Sequence, residues 1–319
     1  MTTFKEIRGT AVQSVSSDPS NPEAGQLWYN NSIGVLKGYA LGAASWAAGG
    51  NLATARQQVG GAGTQTAGLA IGGNTGVSSA AVEEYDGSAW AAGGSLATAR
   101  LLPGGAGTQT AGLGFGGYTT SNTNVTEEYD GSTWTGGGNM GTARRAFAGC
   151  GTQTAALAAG GLTTVVVNNT EEYDGSAWTT GGNLSNARSG ITGAGTQTAG
   201  LGFAGYTTAN TGITEEYDGS AWTAGGTMNT ARVTPAGAGT QTAALGSGGY
   251  TTTNVGNTEE YNGTSWTSST SLTTGRRNPG GCGTQTAGLT FGGATTGVLT
   301  NTEEYTGAAL ATKTITTST

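Results

Sequence analysis

The 319-residue sequence has no histidine, two cysteines, five prolines and only 10% charged residues. Without histidine it lacks the commonest proton shuttle near neutral pH and the commonest metal ligand. Cys150 and Cys282 can form one bridge at most, which excludes a disulfide framework. Lysine and arginine total 12 against 19 acids, a formal charge of −7, and no basic run exceeds two residues. Nucleic acid is therefore not an expected partner, because affinity for it comes from neutralised phosphates. No apolar run approaches the ~18 residues of a membrane span, and the opening MTTFKEIRGT carries no apolar stretch of the signal-peptide kind. Neither a span nor a leader is expected.

Glycine is what the chain has in excess, 62 of 319 residues, far above the ~7% of ordinary chains. With no G-X-Y triplets and little proline, this is neither collagen nor a polyproline linker. Its order is periodic. Trp46, Trp90, Trp134, Trp178, Trp222 and Trp266 follow one another at 44-residue intervals without insertion or deletion. The same phase holds for Arg56, Arg100, Arg144, Arg188, Arg232 and Arg276, and for Tyr85, Tyr129, Tyr173, Tyr217, Tyr261 and Tyr305, each ending an E-E-Y motif. A G-T-Q-T motif recurs at Gly63, Gly107, Gly151, Gly195, Gly239 and Gly283. Such repetition marks units that stack on one another.

Within a unit the pattern is strand-like. In the second, residues 101–105 and 110–115 read as two short strands around a G-T-Q turn, the second closed by Gly116 and Gly117. V-T-E-E-Y then alternates, Asp130 and Gly131 make a hairpin turn, and Trp134 opens a fourth strand. Four short strands per repeat make one propeller blade. A lone sheet of Ala, Thr and Gly buries too little apolar surface to offset the ordering of its backbone, so the units must cover one another. One Trp per unit suits the wide outer wedge between sheets, and Ala and Gly suit the crowded interior. A helical solenoid fails because Gly pairs interrupt every 3.6-residue stripe. A β-helix fits less well, its coils being generally shorter. The expected fold is all-β: a six-bladed β-propeller of four-stranded antiparallel blades, closed by an N-terminal strand.

The order of a glycine pair (Gly116, Gly117), E-E-Y-D (127–130), Trp134, Met140 and Arg144 resembles the kelch repeat of kelch and galactose-oxidase-type propellers. The unit is short for that family, Ala204 replaces one glycine, and Leu310 stands where a seventh Trp is due. Residues 17–39 resemble segments that precede Gly/Thr-rich repeats in tail-fibre and structural proteins of tailed bacteriophages, notably marine ones. The implied organisation is an attachment or packing element at 1–40, a propeller at 41–310 and a tail at 311–319. The Trp46 strand is expected to complete the last blade, joining the chain ends. A competing count uses 27–29, 35–39 and 310–315 as extra strands and reaches seven blades, one lacking its first strand.

Most charge is repeat-phase. Twelve acids are the Glu pairs and four more are Asp86, Asp130, Asp174 and Asp218 in turns. One Glu of each pair is expected to face an Arg or a backbone donor, the other solvent. No dense acidic loop points to Ca²⁺, and Asp86 next to Gly87 lacks the spacing of a sialidase Asp box. With no non-repeating carboxylate pair, neither catalytic residue nor cofactor is expected. Cys150 and Cys282, three units apart, are expected to be reduced, buried replacements for alanine.

Positions where units differ carry the functional signal. One set follows each Arg (57–59, 101–103, 145–147, 189–191, 233–235, 277–279), and the kelch resemblance implies a place near the axis for it. The other is the loop after the glycine pair, with Tyr118, Val166, Tyr206 and Tyr250 as a candidate binding rim. The phage resemblance implies a non-enzymatic virion component, assembled in a host cytoplasm, that packs against other tail proteins or touches a host-surface glycan or protein. The alternative is a cellular kelch-like lectin or adaptor. Oligomerisation is left open.

Overall fold

In a computed structural model, residues 12–315 are described, so expectations about the first eleven and last four positions lie outside the described residues. Twenty-eight strands, β1–β28, form seven four-stranded sheets. The first repeat shows the pattern: β5 (Gly60–Gly63), β6 (Gly68–Ile71), β7 (Val82–Tyr85) and β8 (Trp90–Ala92) pair antiparallel in that order. Two-residue alternation buries both faces of β6, all four of whose residues are enclosed.

The chain divides into two units. Residues 45–306 carry six sheets, and the flanking segments carry the seventh. In the larger unit the innermost strands are β5, β9 (Gly104–Gly107), β13 (Ala148–Thr152), β17 (Thr192–Gly195), β21 (Ala236–Thr240) and β25 (Gly280–Gly283). Each touches the next, and β25 returns to β5. Glycine is required here, since a Cβ on Gly61 would collide with the Gly281 carbonyl oxygen of the adjoining sheet. The last of these sheets runs β25, β26 (Ala287–Phe291), β27 (Thr302–Thr306), β4 (Ser45–Ala48), with Trp46 opposite Tyr305.

Three side-chain contacts join each sheet to its predecessor. Gln153 Nε2 donates to the carbonyls of Gly112 and Tyr129, at 3.0 and 2.7 Å. Tyr173 Oη donates to Glu128 at 2.5 Å, and Trp178 Nε1 to Thr126 Oγ1 at 2.9 Å. The same three link the first repeat to the last, through Gln65 to Tyr305 O (2.7 Å), Tyr85 to Glu304 (2.5 Å) and Trp90 to Thr302 (2.9 Å). Trp90, Trp222 and Trp266 are buried, whereas Trp46, Trp134 and Trp178 are half-buried. Trp134 is an exception in its bonding too: Val82 stands where the other repeats offer Thr, and its indole donates to Gly94 O instead, at 2.8 Å.

The expected count of six sheets is corrected to seven. Segments assigned to a terminal element and a tail pair with each other: β2 (Leu27–Asn30) with β3 (Val35–Leu41), and β3 with β28 (Leu310–Thr314). A fourth strand, β1 (Gln13–Val15), adds parallel to β2, so this sheet is not wholly antiparallel and does not lack a strand. Trp28 anchors it, fully buried, with its indole donating to Asp18 at 3.0 Å. Lys37 also reaches Asp18, at 2.6 Å, and these bonds hold that carboxyl down at about 2.

Candidate functional site

Registers define two ends of every sheet in the larger unit. β13 starts opposite the end of β14 (Ala155–Ala159), which lies opposite the start of β15 (Thr170–Tyr173). The connections 2→3 and 4→1 therefore share one end, called here the connection end, and the G-T-Q-T and Asp-Gly turns share the other.

The repeat-phase arginines sit inside the sheets, all with 0% exposure. Arg188 Nη2 lies 3.1 Å from Glu215 Oε1 and also donates to Gly202 O at 3.1 Å. Arg56 and Arg144 pair with Glu83 and Glu171 at 3.2 Å, and Arg100, Arg232 and Arg276 pair with Glu127, Glu259 and Glu303. Burial lowers the guanidinium pKa, to about 10 for Arg144 and Arg188, and the carboxylate opposes that shift. The other Glu of each pair does not simply face solvent, as expected. Glu84, Glu128, Glu172, Glu216, Glu260 and Glu304 each accept from the tyrosine hydroxyl of the following sheet. Burial and that carboxylate push the hydroxyls of Tyr85, Tyr129, Tyr173, Tyr217 and Tyr261 up to about 12. The arginines are thus engaged within the sheets, and the tyrosines with the sheet before.

At the turn end, Asp86, Asp130, Asp174 and Asp218 are exposed and bind the backbone N–H groups two and three residues on. Those bonds hold the four carboxyls below the ordinary Asp value. Each aspartate is thus a turn-former.

The variable triplets line the axis. Gln58, Leu102, Ala146, Gly190, Thr234 and Asn278 all have φ between 51° and 60°, and five of them are not glycine. This left-handed backbone is held by bonds between neighbours: Gln58 N–H to Asn278 O (2.8 Å), Leu102 to Gln58 (2.9 Å), Gly190 to Ala146 (2.7 Å) and Thr234 to Gly190 (2.9 Å). They surround a cavity of about 120 Å³, lined mostly by Gly, Pro and backbone. Small-molecule sites usually need at least ~300 Å³, more than this cavity offers.

Of the candidate rim residues, Tyr118, Tyr206 and Tyr250 occupy one repeat position, each bridging to the variable triplet of its own repeat. Tyr206 is 43% exposed, and Tyr118 and Tyr250 are half-buried. Val166 does not join them. It occupies the next bridged position, held elsewhere by Asn122, Asn210 and Asn254, and is half-buried beside Leu162. Arg145 and Arg277 do join them, with guanidinium carbons 4.7 Å over the Tyr118 ring and 5.9 Å over Tyr250. The sequence had marked these arginines as variable but not as rim residues; their position one step after the repeat-phase Arg was the available signal.

Cys150 and Cys282 are free and buried, in β13 and β25 of different sheets, and burial pushes both thiols up to about 12. Alkylation without reductant is expected to add nothing to the native chain and two groups to the unfolded one, read by intact mass. A native adduct, or fewer than two after unfolding, would contradict this placement.

No protein-family model and no curated protein matches the chain. Among solved structures it is similar to one described as "Structure of YjhT", with a TM-score of 0.69 at 12% identity, covering 82% of this chain and 99% of that one. At that identity the likeness concerns fold, a kelch-type propeller-like array of four-stranded sheets. The expectation of a virion component in a phage particle is corrected by the same finding, the likeness being to YjhT and not to a phage protein. The segment at 17–39 that carried the phage resemblance supplies β2 and most of β3 of the seventh sheet. The chain thus shares with YjhT a kelch-type, propeller-like fold of repeated four-stranded sheets.

Proposed function

We propose that the chain is a cellular kelch-like binding module that takes carbohydrate at the connection end of its six-sheet unit and acts by recognition, not catalysis. The observation that carries this is the set Tyr118, Tyr206 and Tyr250 at one repeat position, each bridged to a residue that adjoins the lining of a cavity too small to hold a sugar itself. Tyrosine offers an apolar ring face and a hydroxyl, which suits a saccharide with its alternating C–H and O–H surfaces. The carboxylates of the repeats are engaged with Arg, Tyr or turn backbone, which supports binding over acid–base chemistry.

Retention on a panel of immobilised polysaccharides, neutral and acidic, tests the reading. The intact chain is expected to be retained by at least one polysaccharide. The triple variant Tyr118→Ala, Tyr206→Ala, Tyr250→Ala is expected to lose that retention with its melting temperature nearly unchanged, since none of the three is in the core. Absence of retention on every matrix, or retention undiminished in the triple variant, would overturn it.

A further inference from the structure

Two arginines stand outside the architecture of the repeat. Of the eight between Ser45 and Thr306, six are the enclosed partners of glutamates. Arg145 and Arg277 are half-exposed, and among the described residues no carboxylate lies within ion-pair distance of either. At their position the other repeats carry Gln57, Leu101, Ser189 and Val233, so the fold does not need a cation there.

Each arginine belongs to a three-residue station. Arg145 lies over Tyr118, and its Nη1 donates to Asn122 Oδ1 at 2.6 Å. Asn122 is itself fixed, its Nδ2 donating to the carbonyls of Leu162 and Thr163, both at 3.1 Å. Arg277, Tyr250 and Asn254 repeat the arrangement three repeats later, on the opposite side of a six-repeat cycle. There Arg277 lies farther from its ring, and the buried Asn254 Oδ1 has no hydrogen-bond partner. One station is closed on itself and the other retains an unsatisfied acceptor.

The charge around the stations decides the ligand class. Within residues 45–306 the exposed aspartates all follow the E-E-Y strands and so lie at the turn end, while the Glu partners of the arginines are enclosed. The connection end of the six sheets thus presents two unneutralised guanidinium groups and no exposed carboxylate, although the whole chain carries −7. A field of one sign at a cleft mouth selects ligands of the other. A guanidinium has five donors in a planar fork that matches carboxylate or sulfate, and Asn122 uses one of those on Arg145.

We propose that the connection end binds an acidic oligosaccharide, with carboxylate or sulfate groups held by Arg145 and Arg277 and sugar rings laid on the neighbouring tyrosines. This rests on the carbohydrate reading above. Two stations on opposite sides of the mouth favour a chain with at least two charges over a single acidic sugar, because the second contact is made at high effective concentration.

Calorimetric titration of the full chain tests this, with oligogalacturonate as the carboxylate probe, its methyl ester as the uncharged control, and a chondroitin sulfate oligosaccharide as the sulfate arm. At least one acidic probe is expected to bind ~10-fold or more tighter than the methyl ester, with affinity falling as salt rises. Arg145→Gln and Arg277→Gln place in those repeats the residue already present at Gln57, so the fold is expected to be unchanged. Each should weaken binding roughly 10-fold and the pair roughly 100-fold. Equal binding of the methyl ester, full affinity in the double variant, or refusal of both acidic probes would overturn the proposal. If neutral saccharides alone bind, with loss in the triple tyrosine variant, the carbohydrate function stands and only the acidic assignment falls.

Discussion

Replacing Glu215 by Ala is expected to destabilise the protein by about 3–5 kcal/mol, the largest effect of any single polar change. Arg188 is enclosed, and Glu215 is 1% exposed. Folding lowers the guanidinium pKa through desolvation, so its charged form opposes folding, and the carboxylate offsets that. Glu215 Oε2 also accepts from the Ser185 N–H at 2.7 Å, so the substitution orphans a donor as well as a cation. The carbonyls of Gly202 and Ala204 accept from Arg188 but carry no charge to compensate it. Replacing both partners by apolar residues of similar volume removes the enclosed charge altogether and is expected to cost far less. Denaturant unfolding of Glu215→Leu, Arg188→Met and the double variant Arg188→Met, Glu215→Leu, beside Glu215→Ala, measures the coupling. Additive losses would mean that the pair is not coupled. Asp218→Ala, in an exposed turn, should lose much less than Glu215→Ala.

The 44-residue phase made the repeat unit, its four strands and its Trp, Arg and Tyr positions legible, because identical spacing forces identical geometry. The resemblance to a kelch blade put the variable triplets near the axis, where the left-handed ring from Gln58 to Asn278 stands. The seventh sheet lies outside that phase. Its β1 is three residues long, pairs parallel, and belongs to a sheet completed by β28 from the far end of the chain. No local pattern in QSV announces such a partner. The second Glu of each pair was misread for a different reason. Adjacent residues of a strand face opposite ways, so Glu127 toward Arg100 appeared to leave Glu128 to solvent. In a stack, however, the opposite face belongs to the next sheet, whose Tyr173 arrives 45 residues later. Alternation gives the face, and only the stacking gives what covers it. The arginine stations were hidden in the same way: Arg145 pairs by backbone with Leu162 of its own repeat, while its side chain reaches back to Tyr118 of the one before.

Removing an interior tryptophan is expected to cost nearly as much as removing a buried charge partner. Trp222 is 7% exposed, and its indole lies 4.9 Å from the Tyr217 ring. Its Nε1 donates to Thr170 Oγ1 of the preceding sheet at 2.9 Å. Trp222→Ala leaves a void in the cluster it forms with Leu157, Leu184, Ile191 and Tyr217, and should lower stability by about 3–5 kcal/mol. Trp222→Phe keeps much of the volume and removes the donor, leaving the enclosed Thr170 hydroxyl without it, so a loss of about 1–2 kcal/mol is expected. Trp134 provides the internal comparison, being half-buried and bound to a carbonyl because Val82 has no hydroxyl. Trp134→Ala should therefore cost less than Trp222→Ala, although both sit at the same repeat position. Chemical denaturation of the three variants gives the order. Equal losses at Trp134 and Trp222, or a loss for Trp222→Phe matching that for Trp222→Ala, would show that this wedge is not held by packing. The sheets would then be joined mainly through the Gln, Tyr and Glu bonds that run from each sheet to the next.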